Sequence, residues 1–208
     1  MRRGIELSFD EVISLSKPKC KERKVTNQYK YEIEPNDVTV QIKTLFSEAQ
    51  QASSKTEYKI ALQKYDQLLQ IDPQHEQALL EKGINQEMIG LFYDAIETFS
   101  IVLALSPDNL EARIHRARDL VKIEDFFASK VDYDNALLIV NDPILYIEQA
   151  EVLIRMNDYE NALKYLLKIP ETAFMDLDQL IKRRFLFTKA SCLNEIGKTM
   201  RLLQDSLS

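Results

Sequence analysis

An all-α array of antiparallel helix pairs is the fold this sequence predicts, and three observations carry the prediction. The chain matches itself at one fixed interval of 34 residues. Apolar residues recur at helical spacing through long runs such as SKTEYKIALQKYDQLLQIDP and GLFYDAIETFSIVLALSP. Glycine is scarce, four residues in 208 with no tryptophan. A chain so poor in glycine has few places where backbone can wrap closely around a phosphate or a ligand, whereas long helices need few.

The 34-residue interval is specific. Leu45, Ala49, Ala61, Tyr65 and Pro73 are followed by Leu79, Gly83, Ala95, Phe99 and Pro107, like paired with like, and Tyr58 by Phe92. Small residues at Ala49, Gly83, Ala61 and Ala95 let two helix backbones approach. Tyr65 and Phe99 fill the space beside that contact. Pro73 and Pro107 end the second helix and lie in the turn to the next pair.

A third copy covers 110–143, with Ala117, Phe126, Tyr133 and Ala136 in place, Ser129 where alanine is usual, and an Asn141-Asp142-Pro143 turn. A fourth, about 143–176, has Ala150, Tyr159 and Ala162, but Pro170 comes early and a longer connection runs through Phe174. A partial fifth, 183–208, begins near Arg183 with Leu186, Ala190, Leu193 and Gly197 and is expected to stop before its second helix completes the motif. That copy lacks the polar capping helix repeat arrays use at their ends, which suggests a truncated array.

Small residue, aromatic, small residue, aromatic and closing proline in a 34-residue frame resemble the tetratricopeptide repeat family. The resemblance implies a right-handed α-α superhelix of about four repeats plus a partial fifth, over residues 36–208. The first copy is framed at 42–75 and the second at 76–109, with Asn36 or Asp37 capping the first helix. Residues 1–35 fall outside it and read as a flexible or partner-dependent leader. In the leader Ser8 would cap a short helix over Phe9–Leu15, and a basic stretch, KPKCKERK, spans Lys17–Lys24.

Charge excludes some functions. The net charge is −6, and residues 1–35 carry eight Lys/Arg against six Asp/Glu while 36–208 carry 19 against 27. An acidic array is poorly suited to neutralising phosphates, so nucleic acid is not an expected partner. Two cysteines far apart, Cys20 and Cys192, suit a reducing compartment, and no apolar run reaches membrane-span length. A cytoplasmic location is expected, with the nucleus as the alternative that the basic stretch suggests.

Candidate chemistry is thin, and the protein is not expected to be an enzyme or to need a cofactor or metal. His75 and His115 have no second ligand at metal-binding spacing and read as ordinary helix-face residues. Gly197-Lys198-Thr199 imitates the end of a phosphate loop, but the glycine needed five residues earlier is Cys192. Glu87, Glu97, Glu148 and Glu151 sit at helical spacings and read as solvated faces or ion pairs.

The resemblance places the ligand on a stripe along the first helices. That stripe is Phe46 and Gln50, then Leu80, Ile84 and Met88, then Ile114, Arg118 and Val121, then Ile147, Glu151 and Ile154, and finally Phe187. Its apolar character predicts an interaction scaffold or adaptor that binds an apolar-anchored peptide or helix, unless neighbouring helices or residues 1–35 cover the stripe. Alternatives are a secretion-type tetratricopeptide chaperone shielding hydrophobic client segments, or the non-catalytic repeat region of a larger enzyme or complex. The clamp with which some relatives hold heat-shock chaperone tails needs Lys, Asn and Arg on consecutive first helices. This chain has Phe46, Gln50, Glu81, Glu111 and His115 at the corresponding places, so that tail is not an expected ligand.

Overall fold

The computed structural model describes residues 35–207, and they form ten helices without a strand. Four pairs come first: α1 (Pro35–Ser54) with α2 (Tyr58–Ile71), α3 (Glu76–Met88) with α4 (Phe92–Leu105), α5 (Leu110–Lys122) with α6 (Phe126–Ile139), and α7 (Pro143–Arg155) with α8 (Tyr159–Leu166). A short α9 (Glu171–Asp176) leads to one long helix, α10 (Gln179–Leu207). Contacts run between consecutive helices from α1 to α8, between α3 and α5, and from α10 back to α7 and α8, so each pair packs on its neighbours. The readings for Ser8, Phe9–Leu15, Lys17–Lys24 and Cys20 lie outside the described residues.

The repeat frame reappears as local geometry. Thr56, Gly90, Glu124 and Asn157 all hold positive φ, 63°, 78°, 64° and 61°, in the turns between first and second helices. The first helices are capped one repeat apart by His75, Asn109 and Asp142, whose side chains accept from the amides of Ala78 (3.1 Å), Ala112 (2.9 Å) and Ile144 (2.8 Å). One expected cap differs. Helix α1 already begins at Pro35, whose fixed φ suits a first helical turn, so Asn36 and Asp37 lie inside that turn.

Packing within a pair follows the small-under-aromatic rule. Ala49, Ala61 and Tyr65 are buried together in the first pair. In the second, Phe99 lies over Gly83 so closely that a Cβ there would meet the ring at 2.5 Å. Ser129 takes the alanine position without leaving a stranded hydroxyl, because its Oγ donates to the Ala117 carbonyl at 2.9 Å. Within the third pair, Arg116 holds the buried Asp132 with two 2.7 Å bonds; between the third and fourth pairs, Asp134 accepts from Gln149 and Tyr165, each at 2.6 Å.

The array departs from its frame after α7. Helix α8 has only eight residues, Leu166 stands where the aromatic would be, and Pro170 opens α9. The fifth copy is not the start of a helix pair with a turn. Helix α10 runs 29 residues through Gly197, the position equivalent to Gly90, Glu124 and Asn157.

Candidate partner-binding groove

The first helices α3, α5, α7 and α10 stand side by side, and their side chains enclose a cleft of about 330 Å³. Its apolar floor is Val121, Val152 and the buried ring of Tyr133. Its walls are charged, and the charges pair from repeat to repeat. His115 Nδ1 lies 2.7 Å from Glu87. Arg118 donates twice to Glu148, both at 3.1 Å. Arg184 reaches Glu148 at 3.8 Å and donates its Nε to Glu151 at 2.6 Å. Such bidentate, half-buried Arg–carboxylate pairs orient both partners and hold consecutive repeats in register.

Two cations are left over. Lys122 and Arg155, both exposed at the cleft, make no ion pair among the described residues. They come from the last turns of α5 and α7, one repeat apart.

At Leu80 and Ile147, both buried, the expected apolar stripe is core, the alternative in which neighbouring helices cover it. Ile84, Ile114, Val121 and Ile154 are half-buried and packed against the same clusters. Phe46 packs edge-on to Tyr65, centroids 6.0 Å apart, and stacks on His75 at 5.5 Å. Neighbouring first helices therefore cover much of this line, since each repeat can bury its apolar face only against the next. Gln50 is exposed, Met88 is 52 % exposed, and Phe187 is 79 % exposed on α10. Arg118, Val121 and Glu151 do face the cleft. The residues missed were Lys122, Arg155 and Arg184. For Arg184 the signal was an opposite charge about one repeat away, as in Glu151–Arg184 and Arg118–Glu148; Lys122 and Arg155 recur as like charges 33 residues apart.

In the third repeat a whole carboxylate is buried without a partner. Asp119 is 1 % exposed, and neither carboxylate oxygen has a hydrogen-bond partner. Burial, and then the nearby charge of Glu87, push its pKa up to about 7, with His115 and Lys122 acting in the opposite direction. One repeat earlier the same position is Asn85, whose Nδ2 donates to the Glu81 carbonyl at 2.7 Å.

The other candidates have structural roles. His75 caps α3 and His115 stacks on Phe99 at 5.5 Å. Gly197-Lys198-Thr199 lies within α10, where a helical backbone cannot cradle a phosphate. Cys192 is buried, which raises its thiol pKa. No group of three metal-ligating side chains occurs among the described residues, and no helix there is long and apolar enough to cross a membrane.

No family model matches the sequence, and no curated protein is similar to it. Solved structures are similar. A crystal structure of MamA superposes with a TM-score of 0.62 at 18% identity, covering 78% of this chain and 92% of that one. A tetratricopeptide repeat protein from Parabacteroides merdae gives 0.61 at 15% identity, covering 80% and 77%. The first tetratricopeptide domain of Spaghetti (RPAP3), bound to the HSP90 peptide SRMEEVD, gives 0.54 at 15% identity, covering 57% and 94%. At these identities the likeness is one of fold. Residues 35–207 form a tetratricopeptide-type solenoid.

Proposed function

We propose that this solenoid is a protein–protein interaction scaffold that holds a polypeptide segment across the first helices of its second to fifth copies. The observation that carries the reading is the cleft of paired Arg and Glu side chains with two exposed, unpaired cations, Lys122 and Arg155, at its wall. A segment of mixed charge fits this cleft. Its carboxylates would meet Lys122 and Arg155, and a small apolar side chain would reach the Val121–Val152 floor. Burial of Leu80 and Ile147 removes the main support for an apolar-anchored ligand and for a chaperone of hydrophobic segments. A heat-shock tail is also disfavoured, because Glu81 and Glu111 stand where relatives that bind it use other side chains.

Lys122→Glu combined with Arg155→Glu tests the reading. Both side chains are exposed, so melting should change little. A segment recovered by affinity capture on the parent should bind at least tenfold more weakly to the double variant by calorimetry. Its affinity for the parent should fall as salt rises. Equal affinity for the two proteins would sink the proposal.

A further inference from the structure

The last helix presents a packing face that every upstream pair covers. In α3, α5 and α7 the residues Ala78, Ala112 and Leu145 pack back on the preceding pair, and Phe185 does the same in α10. Five residues further on, Gly83, Ala117 and Ala150 are buried under their own second helices; the α10 equivalent, Ala190, is exposed. One residue on from that reference, Leu79 is buried and Leu186 is 55 % exposed; eight on, Leu120 and Leu153 are buried and Leu193 is 52 % exposed. Gly197 has nothing within 4 Å of where a Cβ would stand, and Met200 is 57 % exposed.

Leu186, Ala190, Leu193, Gly197 and Met200 alternate steps of four and three, so they form one stripe about 21 Å long. The two small residues leave room for a second backbone, as Gly83 does beneath Phe99. The rim that α10 itself supplies is basic, while Asp158 and Glu160 at the start of α8 stand beside Ile196 and Met200. At 100° per residue Arg183 and Arg201 border one side and Lys189 the other. Over its length α10 carries six Lys/Arg against two Asp/Glu, although the chain as a whole is acidic. That charge argues against a second copy of the same helix. Antiparallel pairing about Leu193 would bring Arg183 of one copy beside Arg201 of the other, like charge against like.

We propose that this face of α10 docks a partner's amphipathic helix of about four turns, apolar on one side and acidic along the border that meets Arg183 and Arg201, in the place a second helix occupies upstream. The site is separate from the first-helix cleft, so one solenoid has two docking surfaces of different chemistry.

The test uses the full chain and a fluorescent 18-residue peptide with a leucine/alanine stripe bordered on one side by glutamates, and a twin with lysines in their place. Anisotropy should show saturable micromolar binding of the acidic peptide and at least tenfold weaker binding of its twin. Leu193→Glu should abolish binding. Arg183→Glu with Arg201→Glu, at two exposed positions, should reverse the preference between the peptides even if Leu193→Glu proves poorly folded. Lys122→Glu with Arg155→Glu should leave binding unchanged, which separates this site from the cleft. Equal binding of both peptides, or none, would overturn the proposal. So would sedimentation showing a dimer that Leu193→Glu dissociates, since a second copy would then be the occupant.

Discussion

The second repeat and the last helix use the same sequence device with opposite results. In α3, Gly83 lies under the Phe99 ring, and Leu79, Ala95 and Val102 close the contact. In α10, Leu186, Ala190, Leu193 and Gly197 lie at matching steps with no helix upon them among the described residues. The motif residues specify a surface; whether that surface is core or a binding face depends on whether a second helix arrives. Stability in a repeat array belongs to the contacts between helices, so identical residues differ in energetic weight along the chain.

The largest expected contrast is between aromatic and aliphatic truncations. Phe99→Ala should cost about 3–5 kcal/mol, because a fully buried ring leaves a cavity. Leu193→Ala should change stability by less than about 0.5 kcal/mol in urea unfolding. Comparable losses would mean that the α10 face is covered in solution.

A smaller contrast comes from adding one methyl group at two glycines. Gly83→Ala places a Cβ 2.5 Å from a ring that is itself packed, and should destabilise by about 1–3 kcal/mol. Gly197→Ala meets nothing and removes a helix-interior glycine, so it should stabilise by about 0.8–1 kcal/mol. If Gly197→Ala instead destabilises, α10 breaks there and residues 198–207 fold back as a second helix.

The smallest effect compares Asn85 with Asp119, one repeat apart. A native pKa of about 7 lies above the ordinary 3.8, so the folded state keeps a proton that the unfolded chain releases. The associated stability is present below the ordinary carboxylate range and is lost as pH rises to about 7. Asp119→Asn gives the third repeat the amide of the second, which can donate to the His115 carbonyl as Asn85 donates to that of Glu81. Melting of the variant should be flatter between pH 4 and 7 and higher above pH 7, by about 1 kcal/mol. Parallel pH profiles for parent and variant would refute it.

The cleft was legible only in part. The sequence pointed to Arg118, Val121 and Glu151 by repeat position, and read Glu87 and Glu148 as solvated or ion-paired. It also read Leu80 and Ile147 as ligand contacts. A first helix in a solenoid has two buried flanks, one toward the preceding pair and one toward its own partner, and periodicity within the helix cannot separate these from the open face. Arg184 was missed because its partners, Glu148 and Glu151, lie about one repeat away, beyond the reach of any local pattern.

What the sequence determined by itself was the unit: the 34-residue frame, the small residues under aromatics, the closing prolines and the helix pairs, because these rest on local sterics and on apolar spacing within one repeat. Tertiary structure decided the rest. It turned the apolar stripe into packing, linked α3, α5, α7 and α10 through a ladder of charges, and carried α10 straight through Gly197. Each of these depends on which faces meet after stacking, and stacking joins residues about 30 positions apart whose mutual fit no single repeat encodes.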